Sequence, residues 1–119
     1  MIDLIQLKTQ LNERRCGETV ERHSFDLPQC CPVSKNPQPG SVLKIRYRPN
    51  AVILEVQSIH DYIRSYIGGR LTVRNMEGMI QGIAQDCADA LGVRVRVKAK
   101  LIIQPTQIME LKCKAWPTK

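Results

Sequence analysis

Leu43-Lys44-Ile45-Arg46-Tyr47-Arg48-Pro49-Asn50-Ala51-Val52-Ile53-Leu54-Glu55-Val56 is the stretch that decides the fold class. Leu43, Ile45 and Tyr47 fall on one side of an extended chain and Lys44, Arg46 and Arg48 on the other, which is the period of a half-buried strand. Pro49-Asn50 reads as a tight turn, and Ala51–Val56 as the mostly buried returning strand of a hairpin. The period then changes. Ile59, Tyr62, Ile63 and Tyr66 recur at helical spacing behind a Ser58 cap, with Gly68-Gly69 as the stop. A second helix is announced by Thr72, carries Met76, Ile80, Ile83, Cys87 and Leu91 at spacings of three or four, and stops at Gly92. Cys87 lies in that apolar stripe and reads as core.

Downstream, Val93, Val95, Val97 and Ala99 alternate with Arg94, Arg96, Lys98 and Lys100, and Ile108–Lys114 forms a further strand after a turn at Pro105. The order from Val42 onward is strand, strand, helix, helix, strand, strand. Two hairpins joined by a helix pair predict an α+β domain: a four-stranded antiparallel sheet with both helices on one face. The other face would carry Lys44, Arg46, Arg48, Arg94, Arg96, Lys98, Lys100, Lys112 and Lys114. So many like charges must meet water or a counter-charge.

Upstream, residues Met1 to Arg15 mix apolar and polar positions in a way that suits a short strand or an amphipathic helix. Cys16 to Leu27 offers only Val20, Phe25 and Leu27 for burial and is expected along the domain edge. His23 is its one acid/base candidate, set against the plainer reading of a solvated histidine. Then comes Cys30-Cys31-Pro32-Val33-Ser34-Lys35-Asn36-Pro37-Gln38-Pro39-Gly40, two thiols heading a loop stiffened by three prolines. Such a loop can present a nucleophile at a set position. The alternative is one thiol buried as a small hydrophobe and the other incidental. The expected organisation is one domain: an N-terminal extension (1–27), the loop (28–40) and the core (41–114).

At 119 residues the chain is long enough for a core without staples. Five cysteines form no repeated framework, and no apolar leader with a cleavage site is read at the start, so a reducing cytoplasm is expected. His23 and His60 are far apart and no cysteines show zinc-knuckle spacing, so no metal is expected. The apolar runs are too short to span a membrane. The net charge of +7 invites nucleic acid, but aromatic residues make up 4% and are scattered, leaving few platforms for base stacking. A solvated basic face or a small anionic ligand fits the charge equally.

The element order with a Cys-Pro loop ahead of the first hairpin resembles the tunnelling fold, whose subunits join edge to edge into a barrel with purine or pterin ligands between them. Within it the chain resembles the 7-cyano-7-deazaguanine reductase family (QueF), and most closely its short QueF-like amidinotransferases of archaeosine synthesis. Cys31-Pro32-Val33-Ser34-Lys35 is similar to the family's nucleophile loop, Tyr47-Arg48-Pro49-Asn50 to the turn of its first hairpin, and Ser65-Tyr66 to the end of its first helix. The likeness runs from about Leu27 to Ile103.

This resemblance implies that Cys31 adds to the nitrile of 7-cyano-7-deazaguanine, free or in nucleic acid, to give a thioimide. Ammonia would then release an amidine without a cofactor; in the reductases NADPH makes the aminomethyl product instead. It also implies a homo-oligomer with the active site between subunits. Three positions depart from the family. Glu55-Val56-Gln57-Ser58-Ile59-His60 stands where the reductases have Glu-Ser-Lys-Ser-Leu-Lys, so Glu55 and Ser58 remain as substrate-binding candidates while both phosphate-binding lysines are missing, which favours amidine formation. Gln38 occupies the place of the proton-carrying aspartate, and an amide is no general acid near neutral pH, so His23 or Asp26 would have to take over. Met76-Glu77 stands for a His-Glu pair that grips the purine edge; Glu77 keeps the carboxylate. These losses also suit a non-catalytic member of the fold that binds a nucleobase or nucleic acid. A cyclohydrolase-like reading needs zinc ligands the chain does not assemble.

Overall fold

The computed structural model describes residues 7–14, 18–27, 29, 35–66, 75–104 and 106–118. Cys30, Cys31, the Gly68-Gly69 and Thr72 signals and the Pro105 turn lie outside the described residues. The elements are β1 (Thr9–Leu11), β2 (Glu21–Asp26), β3 (Val42–Tyr47), β4 (Val52–Leu54), α1 (Val56–Arg64), α2 (Met76–Leu91), β5 (Val95–Gln104) and β6 (Gln107–Ala115). They form a four-stranded sheet in the order β2-β3-β5-β6 and a two-stranded ribbon, β1-β4, both antiparallel.

The expected hairpin between Leu43–Arg48 and Ala51–Val56 is not formed. Strand β3 is hydrogen-bonded on both sides, with Ile45 opposite His23 of β2 and Val97 of β5, so no edge is left for β4. Instead β4 pairs with β1, Leu54 opposite Thr9, and the ribbon is prolonged by Asn12 N donating to Ala51 O and Glu55 N to Lys8 O. The strand the sequence reading left outside the core is β2. It alternates as regularly as β3, with Glu21, His23 and Phe25 half-buried and Arg22, Ser24 and Asp26 exposed. A carboxylate and an imidazole at inward positions hide that alternation from a pattern based on hydrophobicity. From Val42 onward the chain does run strand, strand, helix, helix, strand, strand, but β4 belongs to the ribbon, and the main sheet takes β2 instead, with residues 27–41 as the connection to β3.

Helix α2 packs across β5 and β6, and α1 joins the same core. Leu43, Ile45, Val95, Val97 and Leu101 of the sheet meet Ile59 and Ile63 of α1 and Ile80, Ile83 and Cys87 of α2. Helix α1 begins earlier than expected. Glu55, not Ser58, is its N-cap, and Ser58 is buried inside the first turn. Helix α2 is capped by Asn75, whose side-chain oxygen accepts from Gly78 N, and ends at Gly92 with φ 69°, the left-handed value glycine takes without strain. Between the helices, Tyr62 donates to Asp86 and shares a hydrogen bond with Tyr66, whose ring meets it edge-on. This polar cluster, with both tyrosines buried and Asp86 at the surface, has no counterpart in the sequence reading.

Burial pushes the Cys87 thiol up to about 12, with the Asp86 charge adding to the shift. The thiol is therefore neutral and enclosed, and iodoacetamide at pH 8 is expected to leave Cys87 unmodified until the protein is denatured, as read by peptide mass mapping. Because the folded thiol holds its proton more tightly than the unfolded one, this group's contribution to stability is full below about pH 9 and is lost as pH rises towards 12.

Candidate functional site

The loop that carries Cys31 is anchored at its C-terminal foot. Ser41, fully buried, donates through Oγ to Gln38 O (2.8 Å), while the same oxygen accepts from Ile102 N (2.8 Å). Gln38 N donates to Ile102 O (2.8 Å) and Leu27 N to Ser41 O (2.9 Å). One serine thus ties the end of β2, the loop foot and the C-terminal part of β5. Gly40 sits beside it with φ 95°, a backbone conformation that calls for glycine, and a Cβ there would lie 2.9 Å from Ile102 Cδ1 at the end of a side chain that can turn away. Pro37 is buried beneath the foot. Lys35 holds φ 61°, unusual outside glycine, and its carbonyl accepts from Gln38 Nε2 (2.8 Å), which is also 3.3 Å from Asn36 Oδ1. Cys31 itself lies outside the described residues.

The other site candidates are found in separate settings. The Gln38 amide donates into the loop backbone, a contact that an ionised aspartate could not make, so Gln38 braces the loop here. His23 lies on the helix side of the edge strand, its ring parallel to Phe25 and Tyr47 at 6.3 and 6.2 Å, with Nε2 2.7 Å from Glu21 Oε1. It is three residues, about 10 Å of strand, from Asp26 at the loop end. Glu55 uses both carboxylate oxygens to cap α1, accepting from Gln57 N (3.0 Å) and Ser58 N (2.9 Å). Ser58 Oγ accepts from Lys8 N. Both residues thereby fasten the β1-β4 ribbon to the start of α1, a task invisible in the motif comparison. Met76 is half-buried against the core, and Glu77 is exposed in the first turn of α2, where the helix dipole favours an acid.

The sheet face turned away from the helices is a second candidate. Its residues align in rows across the strands: Arg22, Arg46, Arg96 and Lys114 in one, Ser24, Lys44, Lys98 and Lys112 in the next, and Asp26, Val42, Lys100 and Glu110 in a third. Arg22 joins the nine cations expected there. Among the described residues the ion pairs are His23–Glu21 and His60–Asp61, so no described carboxylate pairs with this face's lysines and arginines. The Nε atoms of Arg46 and Arg96 are buried without a hydrogen-bond partner among the described residues. Desolvation, then Arg22, Arg96, Arg48 and Arg94 in turn, hold the Arg46 pKa below the ordinary guanidinium value. Open grooves of about 630 Å³ and 400 Å³ run over the face. Lys44 and Lys98 border both, Arg22, Arg46 and Arg96 the first, and Lys100 and Lys112 the second.

No group of three His, Cys, Asp or Glu side chains among the described residues could hold a metal ion, and no described helix is long and apolar enough to cross a membrane. No protein-family model matches the chain, and no curated protein matches it.

Proposed function

We propose that the chain is a nitrile-processing enzyme acting on 7-cyano-7-deazaguanine, free or carried in nucleic acid, through a Cys31 thioimide. The observation that carries this reading is the connection holding the Cys-Pro-Val-Ser-Lys motif: it joins the first two strands of the main sheet, and its foot is tied to a third through Ser41 and Ile102. A loop anchored in this way can hold an attacking sulfur in one geometry, which is what addition to a linear nitrile requires. The sulfur bonds to the nitrile carbon while the proton goes to its nitrogen. Ammonia then adds to the thioimide carbon, the C–S bond breaks, and an amidine leaves with the thiol restored. A cation beside the thiol would favour the thiolate, and Lys35 of the same motif is the candidate for it. The Gln57 position lacks the charge that would bind an NADPH phosphate, which favours ammonia over hydride as the second reactant.

Intact-protein mass after incubation with 7-cyano-7-deazaguanine tests the reading. The wild type is expected to gain the whole mass of the nitrile, since nothing leaves in the addition, and Cys31→Ala to gain nothing. An unmodified wild type, or the same adduct on Cys31→Ala, overturns it. Adding ammonia or NADPH to the adduct then separates amidine from aminomethyl product.

A further inference from the structure

We propose that the face of the four-stranded sheet turned away from the helices binds the phosphate backbone of a nucleic acid. This goes beyond the nitrile chemistry and does not depend on Cys31. The reason lies in the rows. Arg22, Arg46, Arg96 and Lys114 stand on four neighbouring strands at one level, with Lys44, Lys98 and Lys112 at the next. Like charges directly opposite each other destabilise a sheet, and here they recur across its full width of about 14 Å and over rows about 7 Å apart. A face meant only to be wet would gain from alternating signs. No described carboxylate pairs with these cations, so the neutralising charge has to come from outside the described residues.

Two features select a backbone over other anions. The guanidiniums of Arg46 and Arg96 stand opposite each other in the middle of the first row and border the larger groove, and a guanidinium fork takes phosphate oxygens in pairs. The grooves there are open and share Lys44 and Lys98, with Glu110 the one acid on the lining of the smaller, so several anionic groups can be held in series along the cations. The strands' own aromatics, Phe25 and Tyr47, pack on the helix side, so the four strands themselves offer no ring for base stacking on this face, and exposed Trp116 lies just past the end of β6. Recognition is therefore electrostatic and indifferent to sequence. A second copy of the same face is excluded as the occupant, since it would bring cation against cation.

Fluorescence anisotropy of labelled, random-sequence DNA of roughly 20 nucleotides, single-stranded and duplex, tests this from about 50 to 200 mM salt. Binding by the wild type is expected with log K falling on log salt at a slope of about −3, equivalent to about four phosphate contacts on single strands. Arg46→Gln/Arg96→Gln is expected to weaken binding about tenfold at low salt and to flatten the slope by about 1.4. Lys98→Gln/Lys112→Gln, at exposed positions, does the same if the arginine pair fails to fold. Arg64→Gln, exposed at the end of α1, and Cys31→Ala leave binding unchanged, so loss of the nitrile chemistry and loss of this surface are distinguishable. No binding at low salt, equal weakening by Arg64→Gln, or full displacement of the strand by inorganic phosphate at matched phosphate concentration overturns the proposal.

Discussion

Ser41→Ala is expected to lower the unfolding free energy by about 2–3 kcal/mol. The Ser41 hydroxyl is both donor and acceptor in a fully buried place, so its removal does more than delete one bond. Ile102 N–H loses its partner (2.8 Å), and an enclosed donor left unpaired costs about 1–3 kcal/mol. Gln38 O keeps only the longer contact from Ser41 N (3.3 Å), a further loss of about 0.5–1 kcal/mol. Urea unfolding should show a lower midpoint with an unchanged slope, because the surface exposed on unfolding is the same. Since the same hydroxyl fixes the loop foot, adduct formation with the nitrile should slow as well, even where the variant is fully folded. A stability change below about 0.5 kcal/mol would mean that the loop is held by something other than this serine.

The dependence of the loop foot on one buried serine illustrates what the sequence can and cannot convey. Strand β3, helix α2 and the alternation in β5 are local: Leu43-Ile45-Tyr47, the apolar spacing from Met76 to Leu91 and the Val-Arg-Val-Arg run each carry their own period, and each is found where its period places it. Partnership is not local. Val52–Leu54 is as apolar as a central strand, but β3 was already flanked by β2 and β5, and β2 is disguised by Glu21 and His23 at inward positions. The site shows the same division. A basic face could be read from alternation alone, whereas the stacking of Arg22, Arg46, Arg96 and Lys114 into one row depends on register across four strands. Glu55 and Ser58, whose motif suggested ligand contacts, are occupied by a helix cap and a ribbon that become visible only in three dimensions. Ser41, between a glycine and a strand, carries no signal in the chain at all.

These arrangements also explain how the loop and the face can serve one molecule. The connection from β2 to β3 ends beside the third row, where Asp26, Val42, Lys100 and Glu110 are mixed in sign, and the rows free of acids begin one level further along the strands. A polyanion lying on those rows would run towards the loop and stop where the charge changes. The carboxylates Asp26 and Glu110 would then define the end of the track on the side where residues 27–41 rejoin the sheet.

Tyr47→Phe should cost about 2 kcal/mol and detach the β1-β4 ribbon from the main sheet. In the ribbon, Glu55 N points to Lys8 O, so Leu54 N one residue earlier points the other way, towards β3. There it meets no backbone acceptor and donates instead to the Tyr47 hydroxyl at 3.0 Å, with both residues buried. The phenol thus replaces the ladder that a β3-β4 hairpin would have supplied. Phenylalanine fills nearly the same volume, so the loss is that of the orphaned Leu54 N–H rather than of packing. Burial holds the Tyr47 hydroxyl well above the ordinary tyrosine pKa, so its stabilisation is complete below about pH 10 and declines as pH rises further. The variant should accordingly lose less stability than the wild type between neutral and strongly alkaline pH. Hydrogen exchange at Leu54 is the sharpest readout: its amide should exchange far faster in Tyr47→Phe while those of β3 and β5 remain protected. Equal protection of Leu54 in both proteins would show that the ribbon is held by other means.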